Sequence, residues 1–320
     1  MAFDLRFTLH KLSVFCQVVE SGGVGRAAEM LYVAQPVVTA HIRSLEERLG
    51  TQLFERNGRQ TRLTPAGDAV YHWARETLTR ARELERELGG LGDGSTGAVS
   101  IAASMSIGSY LLPPILSEFR RDRPLAAVSL TVTDPEHALE ATATGVADFA
   151  VILADQLPEA GLFDAEILGR EELVLVVAPD SELAGDRISI EAARTIPYIA
   201  SPRDHVRREL VDGQLRRAGL DGLEVVIELG HPEAMKRAAR QGLGATVLFR
   251  SAVRDELDAG LLREVQIIGT HLDVPIHLVR RRRKRLSPLQ EHLLGFVREH
   301  VGLELGAMPR TPRLHIDVGQ

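Results

Sequence analysis

The side chains placed to do chemistry in this chain are polar groups gathered on single faces or strand ends, with no acid–base or nucleophilic set among them. Pro36, Ala40, Arg43, Ser44 and Glu47 fall on one side of a 3.6-residue repeat; Thr39 and His41 flank them, and Gln35 opens the stretch. Amide, hydroxyl and guanidinium groups on an exposed helix face can read donor and acceptor patterns on base edges. Arg56, Arg59 and Arg62 follow closely and suit phosphates or the minor groove. A second polar set, Ser104, Ser106, Ser201, Arg203 and His231, comes later, each residue just after a short β-branched run. Open α/β sheets bind ligands beyond the carboxyl ends of such strands, and hydroxyls with a guanidinium favour an anion. Ile107, Ile152 and Phe249 lie near these positions and suit a small apolar body, so a small organic acid is the expected ligand. The plainer reading of Ser106, or of Ser109, is helix capping, which does not exclude ligand contact. There is no G-x-S-x-G, no His pair at metal spacing and no phosphate-cradling loop, so no catalytic residue, metal or cofactor is expected.

The elements that must hold the first set can be read from periodicity. Val38, Ile42, Leu45 and Leu49 recur at helical spacing and predict a helix over Gln35–Leu49, with Pro36 tolerated in its first turn. Val33 and Val38 fit a hydrophobic staple across its start. A first helix is predicted over Leu9–Glu20 with Leu12, Phe15, Cys16 and Val19 inward, and a shorter one runs through Ala27–Leu31. The Tyr32–Ala34 turn then makes a helix-turn-helix, whose second helix enters the DNA major groove. Asn57-Gly58 signals a tight hairpin among the three arginines, a basic wing. From about Ala66 to Leu88 one long helix carries Val70, Ala74, Thr77, Ala81, Leu84 and Leu88 in a heptad-like seam between charged faces. Such a helix needs a partner, which points to a dimer; the alternative is a helix packed on its own domain. The Gly-rich run to Gly97 reads as a hinge. Beyond it, short β-branched runs alternate with helical segments, which is α/β composition with mostly parallel sheets expected.

Composition narrows the classes. The chain has 320 residues, 44% apolar and 4% aromatic, and one cysteine, Cys16, on an apolar helix face. A lone cysteine excludes an intrachain disulfide and a CxxC site. Net charge is −6, but residues 1–65 carry eight Lys/Arg against six Asp/Glu, so the acidic excess belongs to the rest of the chain. A locally basic module on an acidic body is compatible with nucleic acid, because the field that matters is local. A charged N-terminus without an apolar stretch and the lack of a bilayer-length apolar run predict a cytoplasmic protein with no membrane partner. The six cations Arg280–Arg285 read as a solvated loop in preference to a nucleic-acid contact.

One ordered set of motifs goes further. RAAEML (Arg26–Leu31), Gln35-Pro36, I-R-x-L-E (Ile42–Glu46), Leu49-Gly50, LFER (Leu53–Arg56) and LTPAG (Leu63–Gly67) together resemble the LysR-type transcriptional regulators. The resemblance implies a winged helix-turn-helix over residues 1–65, a linker helix and Gly-rich hinge over 66–97, and an effector-binding domain over 98–302, with a tail at 303–320. That domain resembles a periplasmic binding protein: an α/β body with lobe I at 98–170 and 274–302 and lobe II at 171–273, joined by two crossing strands. It further implies sequence-specific binding to a double-stranded DNA operator, control by a small-molecule effector between the lobes, and a homodimer or homotetramer paired through the long helix. RNA polymerase is a further implied partner. Ser104 and Ser106 match the place after the first strand where many family members hold a ligand. Peroxide-sensing members use two effector-domain cysteines, a role that does not transfer here.

Three departures stand out. Ala34 replaces the usual small polar N-cap, at a cost of about 1 kcal/mol. Gly23-Val24-Gly25 replaces Gly-Ser-Phe, and Ala40 stands where many members carry an arginine, removing a bidentate guanine contact. Two rival classes are an enzyme on the binding-protein fold and an exported solute-binding component. The first needs acid–base groups in a pocket; the second needs an export signal and no helix-turn-helix.

Overall fold

The computed structural model describes residues 7–57, 60–89, 97–157, 161–182, 186–282 and 284–305. Gly58 and Arg59 of the wing, most of the Gly-rich hinge and most of the tail lie outside them, as do the side chains of Arg56 and Leu88. The chain divides into two compact units, Met1–Leu88 and Gly89–Gln320.

The first unit comprises α1 (Leu9–Glu20), α2 (Val24–Met30), α3 (Gln35–Leu49), the antiparallel pair β1 (Phe54–Asn57) and β2 (Gln60–Leu63), and α4 (Pro65–Gly89). The expected inner face of α3 is buried: Val38, Ile42, Leu45 and Leu49. It ends at Gly50, whose φ of 67° is the left-handed conformation that glycine adopts at little cost, so the Leu49-Gly50 motif is a helix stop. Ala34 makes no side-chain cap, and Val33 is 42% exposed and outside the core that holds Val38, so the expected staple does not form. On α1, Val14 and Val18 are buried with Leu12, Phe15 and Cys16, while Val19 is only half-buried. The wing register pairs Asn57 with Gln60, which leaves Gly58 and Arg59 between the strands and puts Asn57 itself in β1.

The long helix departs from the expected seam. Ala74 and Leu78 are buried in the core of the first unit, and Val70 and Tyr71 pack against it. Ala74 is therefore not available to a partner, and Val70 is at least half engaged by its own unit. Tyr71 of α4 meets Phe15 edge-on with ring centroids 6.5 Å apart, so α4 helps α1, α2, α3 and the wing close that core.

The second unit begins with β3 (Gly97–Ser104), a single π-helical turn (Ile107–Leu111) and α5 (Leu112–Asp122). Then come β4 (Ala126–Thr133), α6 (Pro135–Ala143), β5 (Phe149–Leu153) and a long strand, β6 (Phe163–Val177). They are followed by β7 (Arg187–Ile188), α7 (Ile190–Arg194), β8 (Tyr198–Ala200), α8 (Val206–Arg217) and β9 (Val225–Glu228). The unit closes with α9 (Pro232–Arg240), β10 (Thr246–Phe249), α10 (Arg250–Asp258), β11 (Arg263–Ile267), β12 (Asp273–Arg281) and α11 (Pro288–Glu304). The main sheet runs β4-β3-β5-β12-β6-β11-β7, with β10 also on β6. It is mixed, not mostly parallel: β3 is parallel to β4 and β5, whereas β12 runs against β5 and β6, and β10 and β11 run against β6. The reason is that β6 serves two groups of strands. Its first part pairs with β12, and from Leu173 onward it pairs with β10 and β11.

Among its described residues the basic run is a solvated loop only in part: Arg282 and Arg285 are exposed, but the others are held. Arg280 and Arg281 end β12, and Arg280 and Arg282 each lie 3.6 Å from an Asp164 oxygen. Lys284 is buried and its Nζ lies 2.7 Å from Asp148 Oδ1, also buried. Cys16 is buried in the first unit. No helix among the described residues is long and apolar enough to cross a membrane.

Candidate nucleic-acid interface and interlobe cleft

The outward face of α3 is formed by Gln35, Pro36, Thr39, Ala40, Arg43, Ser44 and Glu47, all on one side of the helix. Arg43 is exposed; Thr39 is half-buried and donates its hydroxyl to the Gln35 carbonyl at 3.1 Å, within the turn that Ala34 leaves uncapped. His41 is turned to the side: it is half-buried, edge-on to His10 of α1 with ring centroids 5.1 Å apart. Lys11 Nζ donates to Ser44 Oγ at 2.6 Å, a second tie between α1 and α3. Arg62 is exposed on β2, opposite Glu55.

The wing is fixed to α3 by a carboxylate. Glu46 Oε1 accepts from the Leu53 N–H at 2.8 Å and from the Phe54 N–H at 3.4 Å, where the wing begins. The last residue of the I-R-x-L-E motif thus sets the wing against the helix. On α4, the exposed apolar strip starts at Trp73 (43% exposed, edge-on to Phe7) and continues to Leu84 (55% exposed), with Thr77 and Ala81 half-buried. Sequence reasoning missed Trp73, which shares the spacing of Thr77, Ala81 and Leu84.

In the second unit the expected ligand residues are dispersed. Ser104 is buried at the end of β3 and its Oγ accepts from the Leu153 N–H at 3.1 Å. Ser106 is buried and makes no capping bond, and Ser109 donates its hydroxyl to Met105 Sδ at 3.7 Å. Ile107 and Phe249 are enclosed in the main core, and Ile152 packs with Ala102, Ala138 and Val279 on the opposite sheet face. These three line no cleft; strand alternation and the sheet's two covered faces hold them inside. His231 is exposed and caps α9, its Nδ1 accepting from the Glu233 N–H at 3.2 Å. Arg203 is corrected most plainly. Its side chain is 85% exposed and 3.8 Å from Glu228, because it precedes the first turn of α8.

Another set does meet between the two groups of strands. Tyr110, on the π-helical turn, donates its hydroxyl to Glu233 Oε1 of α9 at 2.8 Å. Lys236 Nζ, 6% exposed at the side chain, lies 2.7 Å from Glu233 Oε1 and 2.9 Å from Glu256 Oε1. It also donates to the Ala252 carbonyl at 2.8 Å and stands 5.1 Å from the Tyr110 ring centre. Burial, then the bond to Glu233, pushes the Tyr110 hydroxyl pKa well up. Burial alone would raise Glu233 too, but hydrogen bonds from Lys236 and Tyr110 outweigh it and hold the carboxyl below its ordinary range. Next to this network Arg207 donates through Nε and Nη2 to Ser201 Oγ at 2.9 and 2.7 Å, and Nη2 touches Met235 Sδ at 3.3 Å. Sequence reasoning missed Tyr110 and Arg207.

Where β6 changes partners, Glu171 is 1% exposed; its Oε1 accepts from the Ser251 N–H at 2.9 Å and its Oε2 has no partner. Burial raises its pKa above the ordinary 4.5, against the opposing Ser251 N–H and the arginines Arg254 and Arg250. Between the unfolded and folded pKa the native state then holds more protons than the unfolded chain, so stability falls as pH rises through the window above about 4.5. Glu171→Gln keeps an acceptor for Ser251 and removes the titration. Its stability, measured by urea unfolding against pH, is expected to run flatter than the native chain's across that window; equal slopes would refute the assignment.

Residues 9–68 match the bacterial regulatory helix-turn-helix protein, lysR family, and residues 92–302 match the LysR substrate binding domain. The HTH-type transcriptional regulator YeiE of Escherichia coli is 33% identical over 296 residues, covering 91% of this chain and 97% of its own. A probable RuBisCO transcriptional regulator of Cyanidioschyzon merolae is 34% identical over 269 residues, 82% of this chain and 88% of its own. Among solved structures, a full-length OxyR variant from Pseudomonas aeruginosa superposes with a TM-score of 0.67 at 22% identity, covering 96% of this chain and 99% of that one. Full-length CbnR complexed with its target DNA gives 0.62 at 24% identity, covering 92% and 100%.

Proposed function

The chain belongs to the LysR family of transcriptional regulators, with a helix-turn-helix DNA-binding part and a substrate-binding domain, and from that premise we propose how its own residues divide the work. The α3 face reads operator bases in the major groove through Gln35, Thr39 and Arg43. Arg62, with Arg56 and Arg59 of the wing, engages phosphates or the adjacent minor groove. The observation that carries this is the exposed polar face of α3 held in fixed relation to the wing by Glu46. Two chains pair through the α4 strip of Trp73, Thr77, Ala81 and Leu84, extended by Leu88, and such pairs assemble into a tetramer in the cytoplasm. Two-fold pairing makes the operator a pseudo-palindrome with half-sites about one helical turn apart. A small organic acid is bound between the lobes, near Ser104, Ser106 and Ser201, and favours one geometry of the body over another. It can do so only by binding the two geometries with different affinity. RNA polymerase is the further partner through which the bound state is read out.

The test is DNA binding by the full chain at several salt concentrations. Arg62→Ala is expected to weaken all sequences alike and to lower the salt slope by about one unit. Arg43→Ala is expected to cost about 1–3 kcal/mol on the operator and to relax base preference at one position per half-site. Unchanged affinity and salt slope in both variants, or a monomer by light scattering at concentrations that saturate the operator, would overturn the reading.

A further inference from the structure

We propose that Arg207 is the seat of the effector's charge, and that the effector carries one negative charge and not two. The inference rests on reading the interlobe cleft as the effector site.

Three arginines enter α8 close together, and the fold treats them differently. Arg203 is out in solvent beside Glu228. Arg208, 11% exposed at the side chain, is neutralised by Asp212 at 2.6 Å and Glu228 at 3.3 Å. Arg207 is half-buried, yet its partners are a hydroxyl and a thioether, and among the described residues no carboxylate lies within ion-pair distance of it. A guanidinium taken out of water without a counter-charge is unfavourable, and a neutral hydroxyl offsets only part of the cost. Burial accordingly depresses its pKa, with no carboxylate opposing. A purely structural arginine here would be expected to have the kind of partner that Arg208 has.

The geometry also says which edge is free. Ser201 takes the Nε–Nη2 side of the fork. On the outer Nη1–Nη2 edge, among the described residues, the hydrogen-bond partner is the Met235 sulfur, a weak acceptor. That edge matches the two oxygens of a carboxylate in the bidentate arrangement. Met235, whose sulfur touches Nη2, supplies apolar surface beside it for the body of the ligand.

The one-charge limit comes from α9 and α10, beside Arg207 on the same lobe. Lys236 follows Met235 on α9, and it is already shared by two carboxylates, Glu233 and Glu256. Glu256 Oε2 is buried without a partner, so this cluster has negative charge to spare. A second anionic group on the ligand would face Glu233 and find no cation to receive it.

The probes are acetate, butyrate, succinate and sulfate at constant ionic strength, read by thermal shift and calorimetry on the full chain. Butyrate is expected to bind more tightly than acetate and than succinate. Arg207→Gln should weaken butyrate about tenfold or more, equivalent to about 1.4 kcal/mol, while Arg203→Gln should leave it unchanged. The ligand-free Arg207→Gln chain should melt no lower than the native chain, since an uncompensated charge is removed; a marked fall would assign Arg207 a structural role and overturn the proposal. Tighter succinate than butyrate overturns the single charge, and binding of sulfate alone, or of no carboxylate, overturns the carboxylate seat. Hydrogen exchange separates this inference from the cleft reading. Butyrate protection of residues 104–111 and 232–240 that persists in Arg207→Gln leaves the cleft and removes the anchor, whereas protection only elsewhere removes both.

Discussion

Lys284→Ala is expected to be among the most damaging single truncations in the effector-binding body, at about 3–5 kcal/mol. The ammonium and the Asp148 carboxylate are 3% and 0% exposed at 2.7 Å. Asp148 cannot turn to water when its partner is lost, because Oδ2 accepts from the Ser100 N–H at 2.8 Å and its own N–H donates to the Ser100 carbonyl at 2.7 Å. Truncation therefore leaves a buried charge between β3 and β5, in the part of the sheet that carries Ser104. For a body of this size the loss corresponds to a melting-temperature drop of roughly 6–20 °C. Arg282→Ala is the contrast: Arg282 is 59% exposed and 3.6 Å from Asp164, so it should shift melting by little. The pair Asp148→Asn with Lys284→Met should recover much of the loss, since Asn retains an acceptor for Ser100 and the charges of the pair itself are gone. Calorimetric melting of the three variants decides the matter, and a Lys284→Ala curve overlying that of Arg282→Ala would dismiss the ion pair.

Lys284 also marks where sequence reasoning stops. In a row of six cations every member looks solvated, and the residue that buries Lys284 stands 136 positions away in the chain. The helix-turn-helix was legible because its information is local: Val38, Ile42, Leu45 and Leu49 repeat at helical spacing and Gly50 ends the helix. On α4 the same periodicity identified an apolar face without saying what it meets, so Val70 and Ala74 were assigned to a partner chain although they close their own unit. In the body, Ile107, Ile152 and Phe249 were assigned to a cleft because they neighbour polar strand ends. Alternation along the strands, with helices on both sheet faces, puts them inside instead.

Arg207 is the exception, because a signal existed. It stands one helical turn before Val211, and Val211, Gln214 and Leu215 are the buried residues of α8. Helical phase therefore turns Arg207 toward the body. Arg203, which precedes the helix, has no such phase and was chosen only for standing next to a strand end.

Gly67→Ala should abolish DNA binding by the full chain while leaving the melting of the effector-binding body in place. Gly67 is the third residue of α4 and the last of the LTPAG motif. A methyl group there would stand 2.0 Å from the Leu53 carbonyl oxygen, 2.9 Å from its carbon and 3.0 Å from Leu63 Cδ2. The first two are backbone atoms and cannot rotate away. Leu53 is also tied on every side: its N–H donates to Glu46 at 2.8 Å, and its carbonyl accepts from the Thr64 N–H at 3.0 Å. Thr64 Oγ1 in turn accepts from the Gly67 N–H at 2.9 Å and donates to the Gln52 carbonyl at 2.8 Å. Relieving the clash means moving α4 off the wing or moving Leu53 off α3, and either change separates the wing from the recognition helix. Helix propensity alone would make Ala better than Gly by about 1 kcal/mol at an interior position, so the two arguments predict opposite signs. We expect a loss of about 4 kcal/mol or more in the first unit, the scale reserved for backbone collision and comparable disruptions. Gly67→Ser should behave alike, since its Cβ is in the same place. Circular-dichroism melting together with operator binding decides it: a variant that gains stability and binds the operator normally would show that α4 and Leu53 are not in this contact.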